Sequence, residues 1–245
     1  MSLFDLPRIP ESEVMDDSGE VDAYSSAAAQ AFLDKIDDTF VAHALRLLRG
    51  RESGRALDIG TGPGQIVLKL ARRLPGWHFT AVDRSPNMIA QARRNAVSVA
   101  PGFSPASSSV PDLRVQFLIA DGNRLDFPGQ SFDFVLCNSV LHHLAEPQNV
   151  LSEIARLVKP DGAILLRDLR RPSRLGYRLH VRWYGRHYSG LMYRLYCASV
   201  RAAYTVPELE ALLRRSPLAA PSANGIATRV FTHARTHLGI ERPLA

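Results

Sequence analysis

The sequence is poor in cysteine and contains no long apolar run, and each shortage excludes a class of protein. Its 245 residues include two cysteines, Cys137 and Cys197, which lie far apart and form no CxxC pair. A disulfide framework and a zinc ribbon are therefore excluded, and we expect no metal site. No apolar run approaches the roughly 18 residues of a membrane helix, so we expect no membrane span. The first residues lack a basic segment followed by an apolar one, which predicts no signal peptide and a cytoplasmic location.

Lysine is also scarce, and the remaining charge is unevenly distributed. Only three of the 30 basic residues are lysines, so the net charge of +6 is carried by guanidinium groups, which suit planar carboxylate or phosphate partners. Residues 1–22 contain seven acids and one base, whereas residues 167–201 contain nine arginines and one acid. The small net surplus is weak evidence for an acidic partner, but the clustering marks two segments for attention.

Apolar residues at 46% and charged residues at 22% are typical of a folded domain, and the length fits one large α/β domain or two small ones. Helical spacing over residues 22–49 predicts one or two helices. Short apolar strands then alternate with helices, and a closing hairpin follows near residues 222–235. The predicted strands are 55–59, 77–82, 113–120, 132–137 and 163–167, and the predicted helices are 65–74, 86–97, 147–158 and 206–215. This alternation predicts a doubly wound parallel sheet that binds ligands at the carboxyl ends of its strands.

Three glycines follow the first predicted strand at alternate positions: Gly60, Gly62 and Gly64. Glycine lets the backbone turn sharply and approach a ligand closely. The GxGxG spacing differs from the GxGxxG fingerprint of dinucleotide-binding proteins, which argues against a nicotinamide-dependent enzyme. The alternative is a tight turn between strand and helix with no ligand.

Acidic residues follow the next two predicted strands. Asp83 lies 19 residues beyond Gly64, where a ribose-binding carboxylate is expected, and a carboxylate can accept two hydrogen bonds from a cis-diol. Asp121 and Gly122 are placed to meet a purine edge. The alternatives are a capping or surface role for Asp83 and an ordinary Asp-Gly turn at Asp121.

The sequence from about Ala56 to Asp168 resembles the class I S-adenosylmethionine (SAM)-dependent methyltransferases, within the small-molecule set that includes ubiquinone/menaquinone methyltransferases. Five elements occur in the expected order, including LDIGTGPGQ, AVDRSPNMIAQAR, IADGNRLDFPGQSFDFVLCNSVLHHL and EIARLVKPDGAILLRD. The resemblance implies a single domain with a Rossmann-like, doubly wound, seven-stranded sheet. It also implies an N-terminal helical lid at 1–50, a cofactor-binding core at 51–169, a cap insertion after strand 5 at 170–204, and a C-terminal helix with closing strands at 205–245.

The resemblance implies SAM as the cofactor, S-adenosylhomocysteine (SAH) as its product, and a set of binding residues. In that set Asp58 would help to hold the amino group, Asp83 the ribose hydroxyls, and Asp121 the adenine edge. The full set is Tyr24, Asp58, Gly60, Thr61, Gly62, Gly64, Gln65, Asp83, Arg84, Met88, Asp121, Gly122, Asn138 and Ser139.

Two histidines lie on the acceptor side in this interpretation. The sulfonium already activates the methyl group, so the protein mainly aligns the acceptor and excludes water. A base is needed only if the acceptor must lose a proton, and His142 or His143 could serve. The alternative is that both pack against the cofactor. Asp168 is a candidate for contacting substrate, with an ion pair to a neighbouring arginine as its alternative.

Arginines recur every four residues in the predicted cap, and five of the seven tyrosines lie there too. If the stretch is helical, the arginines form a slowly drifting stripe. The cap either binds an anionic or aromatic acceptor, or pairs with the acidic N-terminus of the same chain or of a dimer partner, or binds RNA, which is the weakest of the three. The stripe is Arg170, Arg174, Arg178, Arg182 and Arg186, and the substrate candidates are Asp168, Arg170, Arg174, Arg178, Tyr177 and Tyr184.

The sequence therefore predicts an enzyme that transfers the methyl group of SAM to an oxygen, nitrogen, carbon or sulfur atom of a small molecule. An RNA methyltransferase, a non-catalytic SAM-binding module and a nicotinamide-dependent enzyme are the alternatives. We expect a small-molecule substrate, no nucleic acid, and a homodimer through residues 170–204 as one option.

Overall fold

The computed structural model describes residues 5–11, 27–97, 109–110 and 114–244. Within them a single sheet of eight strands runs in the order β3-β4-β2-β1-β5-β6-β8-β7. The strands are β1 Gly54–Ile59, β2 Trp77–Asp83, β3 Ser109–Val110, β4 Val115–Ile119, β5 Phe132–Asn138, β6 Val158–Leu169, β7 Arg229–His233 and β8 His237–Arg242. The central strands are parallel, while β3 and the β7–β8 hairpin pair antiparallel. Seven strands form the predicted doubly wound sheet, and β3 adds a two-residue edge.

Helices cover both faces of the sheet. They are α1 Ala27–Leu47, α2 Gln65–Arg73, α3 Pro86–Val97, α4 Pro147–Leu157, α5 Tyr177–Tyr184, α6 Gly190–Ala202 and α7 Val206–Arg215. Local capping explains several helix starts. The Ser85 hydroxyl accepts a hydrogen bond from the Met88 amide at 3.2 Å, and a capping box joins Thr205 and Glu208 at the start of α7. None of the described helices is long and apolar enough to cross a membrane.

The core is divided by the sheet into two apolar layers. Phe134 and Leu136 of β5 pack with α1, α2 and α3, whereas Val135 and Cys137 pack with α4 and α7. Side chains alternate across a strand, so a central strand must be apolar on both faces. The core therefore lies in the middle of the sheet and leaves the carboxyl ends of the strands for polar side chains.

The predicted cap contains α5 and α6, joined through a 3-10 turn at Gly185–His187. Helix α5 begins only at Tyr177, because residues 171–176 form loop and turn around Pro172 and Gly176. Arg170 instead forms a β-bridge with Tyr204. The prediction of five arginines on one helical stripe is therefore wrong.

The closing hairpin also differs from the prediction. Its first strand, at residues 229–233, lies within the predicted segment, but its second strand, at residues 237–242, lies beyond it, because Ser222 and Gly225 form a tight turn where the hairpin was expected to begin. Strand β6 is longer than predicted and begins at Val158 rather than at Ala163.

Candidate active site

The glycine loop combines a crowded side with an open side. Gly60, Gly62 and Gly64 have φ angles of 71°, 53° and 76°, which favour glycine. A Cβ at Gly60 would lie 2.3 Å from Cγ2 of Val140, whereas a Cβ at Gly62 would meet no atom within 4 Å. The loop therefore packs tightly against the segment after β5 and leaves space in front of Gly62, as a ligand cradle requires.

Asp58 is a buried carboxyl at the end of β1. It is 3% exposed, and its Oδ2 accepts a hydrogen bond from the Thr61 hydroxyl at 2.7 Å. Burial raises the pKa of Asp58 to about 7, and the negative charges of Asp83 and Asp37 add to this effect. A cationic group near Asp58 would offset the cost of ionising this buried carboxyl group, because it stabilises the carboxylate.

Asp83 joins the ends of β1 and β2. Its Oδ2 accepts a hydrogen bond from the Gly62 amide at 2.8 Å, and its Oδ1 accepts one from the Ser85 amide at 2.9 Å. The Gly60 and Thr61 amides both donate to the carbonyl of Val82. A carboxylate has about four lone-pair positions, so Asp83 can order the loop and still accept from ligand hydroxyls.

The end of β4 lies beside Asp83, because the Ala120 amide donates to the Asp83 carbonyl at 3.0 Å. Gly122 packs against the end of β1, where a Cβ would lie 2.7 Å from Cγ2 of Ile59. Asp121 is exposed, and its Oδ1 accepts hydrogen bonds from the backbone and side-chain amides of Asn123. The local turn therefore orients Asp121 at the same sheet edge as Asp83.

The other predicted cofactor residues are spread around the same edge. Gln65 opens α2 directly after the glycine loop. Met88 is buried on α3, whereas Arg84 is exposed at the loop before it. Tyr24 lies outside the described residues.

Arg167 is a candidate site residue that sequence reasoning missed, since the sequence marked it only as part of the basic segment. Its Nε donates to Oδ1 of Asn138 at 3.0 Å, and its Nη1 donates to the Thr39 hydroxyl at 2.8 Å. Ser139 has a φ of 58°, and its amide donates to the Arg167 carbonyl. Arg167 therefore fixes α1 above the ends of β5 and β6.

Asp37 lies on the same helix and was not predicted. Burial raises its pKa to about 6, while the positive charge of Arg167 opposes the rise. Its charge also raises the pKa of Asp58. Helix α1 thus adds a third carboxyl group to the region bordered by Asp58 and Asp83.

His142 and Asp168 form a buried pair. They are 2% and 1% exposed, and His142 Nδ1 donates to Asp168 Oδ1 at 2.5 Å. Burial lowers the pKa of His142, but the Asp168 charge and hydrogen bond outweigh it, so the pKa lies above the ordinary value. The alternative of an ion pair between Asp168 and a neighbouring arginine is therefore wrong. The Asp168 carboxylate instead accepts hydrogen bonds from the ring and amide of His142 and from the Leu169 amide.

The N-terminal segment 5–11 returns to these histidines. Glu11 Oε2 lies 2.5 Å from His143 Nδ1 and 4.0 Å from His142 Nε2, and Ser199 donates to Glu11 Oε1 at 3.0 Å. Arg8 donates to the carbonyls of Ala202 and His142. In the sequence Glu11 is one of the seven acids of residues 1–22, and no local pattern indicated its histidine partners.

The predicted substrate residues of the cap are not gathered around His142. Arg174 and Arg178 are exposed, Tyr177 donates its hydroxyl to the Cys197 carbonyl at 3.4 Å, and Tyr184 lies against the ring of His180. Across the described residues, none of the stripe arginines forms an ion pair with an acid. The neighbouring Arg171, which is buried and does not belong to the stripe, does form an ion pair, with Glu208 at 2.5 Å. It also donates a hydrogen bond to the Leu6 carbonyl.

Comparison with known proteins agrees with the methyltransferase fold that the sequence predicts. Residues 57–166 match the family described as a methyltransferase domain. A demethylmenaquinone methyltransferase of Thermus thermophilus is 30% identical over 142 residues, which are 58% of this chain and 54% of that protein. The chain thus spans about half the length of the curated relatives it matches.

Solved structures extend the likeness over nearly the whole chain. A SAM-dependent methyltransferase from Aquifex aeolicus has a TM-score of 0.62 at 18% identity and covers 94% of this chain and 99% of its own. The plantazolicin methyltransferase BamL, solved with SAH and a triazolic desmethylPZN analog, has a TM-score of 0.64 at 15% identity, and the match covers 93% of this chain and 89% of that one. The fold is the Rossmann-like class I methyltransferase fold. Residues 57–166 therefore match a methyltransferase domain, and the likeness of the rest of the chain to these structures shows the fold alone.

Proposed function

We propose that the chain transfers the methyl group of SAM to a small-molecule acceptor and releases SAH. The observation that carries the proposal is the junction of Asp83 with Gly62, in front of which the glycine loop leaves open space. The donor set suits SAM, since Asp83 offers acceptors to a ribose diol and Asp58 offers a carboxylate to the amino group. SAM supplies a methyl group on an activated sulfonium when bound.

In this proposal the chain's own residues position the reactants and exclude water. Asp58, Thr61 and the glycine loop hold the methionine part, while Asp83 holds the ribose. Arg167 secures α1 over the site through Thr39, which shields the reacting atoms from solvent. Asn138 and Ser139 line the region between cofactor and acceptor.

We place the acceptor beside the segment that follows β5. Val140 packs on Gly60, and His142 and His143 follow it in a short 3-10 turn. Similarity to a demethylmenaquinone methyltransferase favours a small cyclic acceptor, with an aromatic or anionic group as the class to test first. Methyl transfer to carbon, oxygen, nitrogen or sulfur is compatible with this placement, and a base role for either histidine stays a prediction.

Ligand-induced stabilisation tests the cofactor, and label transfer tests the reaction. SAH should raise the melting temperature of the full chain, whereas NAD should leave it unchanged; stabilisation by NAD alone would contradict the proposal. Incubation with methyl-labelled SAM and a panel of hydroxylated aromatic acids and quinols should move label to one acceptor. SAH binding without transfer to any small molecule, but with transfer to RNA, would assign the enzyme to the RNA class instead.

We further propose that the cap forms a homodimer interface. Leu175, Leu179 and Trp183 are 77%, 70% and 59% exposed; Leu179 and Trp183 lie one turn apart on one side of α5, and Leu175 lies in the turn just before that helix. The exposed Arg178 and Arg182 lie between them in sequence. A second copy would supply complementary charge, because residues 12–22 contain five acids and no base.

Sedimentation velocity tests the dimer. The wild-type chain should sediment as a dimer at micromolar concentration, and Leu179→Glu should shift it to monomer. Val97→Glu, at an exposed apolar position on α3, is the matched control and should remain dimeric. A wild-type chain that is monomeric at this concentration would overturn the proposal.

A further inference from the structure

Three metal-binding side chains that are distant in sequence meet at one point. Nitrogen atoms of His142 and His143 and a carboxylate oxygen of Glu11 all lie within 4.8 Å of one another. Considering only the described part of the chain, His142 Nε2 is a buried atom without a hydrogen bond, and the buried atoms His143 Nδ1 and Glu11 Oε2 contact only each other, as an ion pair at 2.5 Å. Buried polar atoms are nearly always satisfied, so the His142 nitrogen facing this ion pair calls for a partner that all three atoms can share.

The surrounding contacts orient these atoms toward each other. Asp168 accepts the Nδ1 proton of His142, which leaves the Nε2 lone pair of the neutral ring directed at Glu11. A carboxylate that holds the second nitrogen of a histidine is the usual arrangement around metal-ligating histidines. Ser199 holds the other oxygen of Glu11, which fixes its Oε2 on the histidine side.

We propose that Glu11, His142 and His143 bind a divalent transition-metal ion of the zinc class. Two imidazole nitrogens and one carboxylate oxygen are a common zinc donor set, with water in the fourth position. Ligand atoms of a tetrahedral zinc site lie about 3.3 Å apart, given bonds of about 2.0 Å. The observed separations of 2.5 Å and 4.0 Å from Glu11 Oε2 bracket that distance, so small side-chain rotations complete the site.

Glu11 is the only ligand of the three outside the β5–α4 connection, so the ion would fasten segment 5–11 to the core. That segment already docks through Arg8 and through the Leu6 carbonyl. His142 follows two residues after Val140, which contacts the glycine loop, so the ion would lie near the proposed acceptor site. Metal binding would then occupy both histidines and replace their predicted role as bases.

Calorimetric titration of the metal alone tests the proposal. Tag-free full chain is stripped with a chelator and titrated with ZnCl₂ in the absence of SAM, so the outcome is independent of the proposed methyl transfer. We expect one ion per chain, with affinity at least tenfold weaker in Glu11→Gln and in His143→Gln. His78→Gln, which changes an exposed histidine on β2, is the matched control and should bind as the wild type does.

Two further readouts separate a built site from weak binding at scattered histidines. Co²⁺ should give the visible absorption of a tetrahedral complex in the wild type and not in His143→Gln. Asp168→Asn should weaken Zn²⁺ binding about 10- to 100-fold, as loss of an orienting partner does. Failure of the wild type to bind Zn²⁺, or equal affinity in Glu11→Gln, His143→Gln and the His78→Gln control, would overturn the proposal; circular dichroism verifies that each variant is folded.

Discussion

The Gly62 amide donates a hydrogen bond of 2.8 Å to the Asp83 carboxylate, which joins the glycine loop after β1 to the end of β2. The same carboxylate accepts from the Ser85 amide, so Asp83 also supports the turn into α3. One side chain therefore shapes the cradle and offers acceptors to what lies in it.

Replacing Asp83 should impair both roles, and two different measurements tell them apart. Asp83→Ala removes both acceptors and should weaken SAH binding by at least tenfold, since a hydrogen bond to a charged group contributes about 1.5–3 kcal/mol. It should also lower the free energy of unfolding, because the Gly62 amide loses its partner. Calorimetry with SAH and urea denaturation measure the two effects. Asp126→Ala, at an exposed acid outside the site, should change neither; unchanged SAH affinity in Asp83→Ala would exclude Asp83 as a cofactor ligand.

The two sides of the glycine loop should respond differently to a methyl group. Gly60→Ala places a Cβ 2.3 Å from Val140 and adds a strained positive φ, so we expect a loss of about 2–4 kcal/mol of stability. Gly62→Ala meets open space and should cost only about 1–2 kcal/mol through its φ of 53°, yet it should weaken SAH binding.

Urea denaturation of these variants checks the order. The double variant Gly60→Ala with Val140→Ala should recover part of the stability, because it removes the clashing methyl groups. Equal stabilities for Gly60→Ala and Gly62→Ala would show that the contact with Val140 does not constrain the loop.

The buried Asp58 predicts that cofactor binding depends on pH. Burial holds its pKa at about 7, and a bound ammonium group favours the ionised carboxylate. SAH affinity should therefore increase as the pH rises from about 5 to 8. Calorimetry across that range measures the slope, and Asp58→Asn should flatten it; an SAH affinity that falls with pH would contradict this role.

The same carboxyl group should affect stability in the opposite direction. Its folded pKa lies above the unfolded value of about 3.9, so the folded state binds more protons and the contribution to stability declines as the pH rises from about 4 through about 7. Without ligand, Asp58→Asn should make urea-induced unfolding less pH-dependent over this window. A wild-type chain whose Asp58-dependent stability increased with pH would contradict the direction of the shift.

Arg167 should control how firmly α1 is held over the site. Its guanidinium reaches Asn138, Thr39 and the Ile36 carbonyl, and it also stacks on the ring of Phe40. Arg167→Met should lower stability by about 1.5–3 kcal/mol, the range for hydrogen bonds to a charged group, and should speed amide exchange in α1. Thr39→Ala removes one bond and should cost only about 1 kcal/mol. Protection of α1 that is the same in Arg167→Met and wild type would exclude this role.

Elements with strong local signals were predictable almost to the residue. Helix α3 begins at Pro86 after the Ser85 cap, and α7 spans residues 206–215 as predicted. Prediction was poorer where turn residues dominate. The hairpin lies several residues later than expected, because the backbone around Gly225 forms a turn that hydropathy alone does not reveal.

Residues at strand ends were predictable for a related reason. Asp58 and Asp83 directly follow apolar strands, and parallel strands bring their carboxyl ends to one edge. The hydrogen-bond partners of residues at the strand ends were harder to predict from the sequence. The partner of Asp168 was expected to be an arginine close in sequence but is His142, which β5 brings beside β6.

The sequence by itself determined the doubly wound sheet, the glycine loop and the carboxylates around it, because hydrophobic periodicity and glycine spacing act over a few neighbouring residues. Only the tertiary structure decided that Glu11 meets His142 and His143, that Arg167 holds α1, and that four of the five stripe arginines are exposed. Those contacts join segments far apart in the chain, and their geometry depends on how the sheet and its helices pack, which no local pattern records.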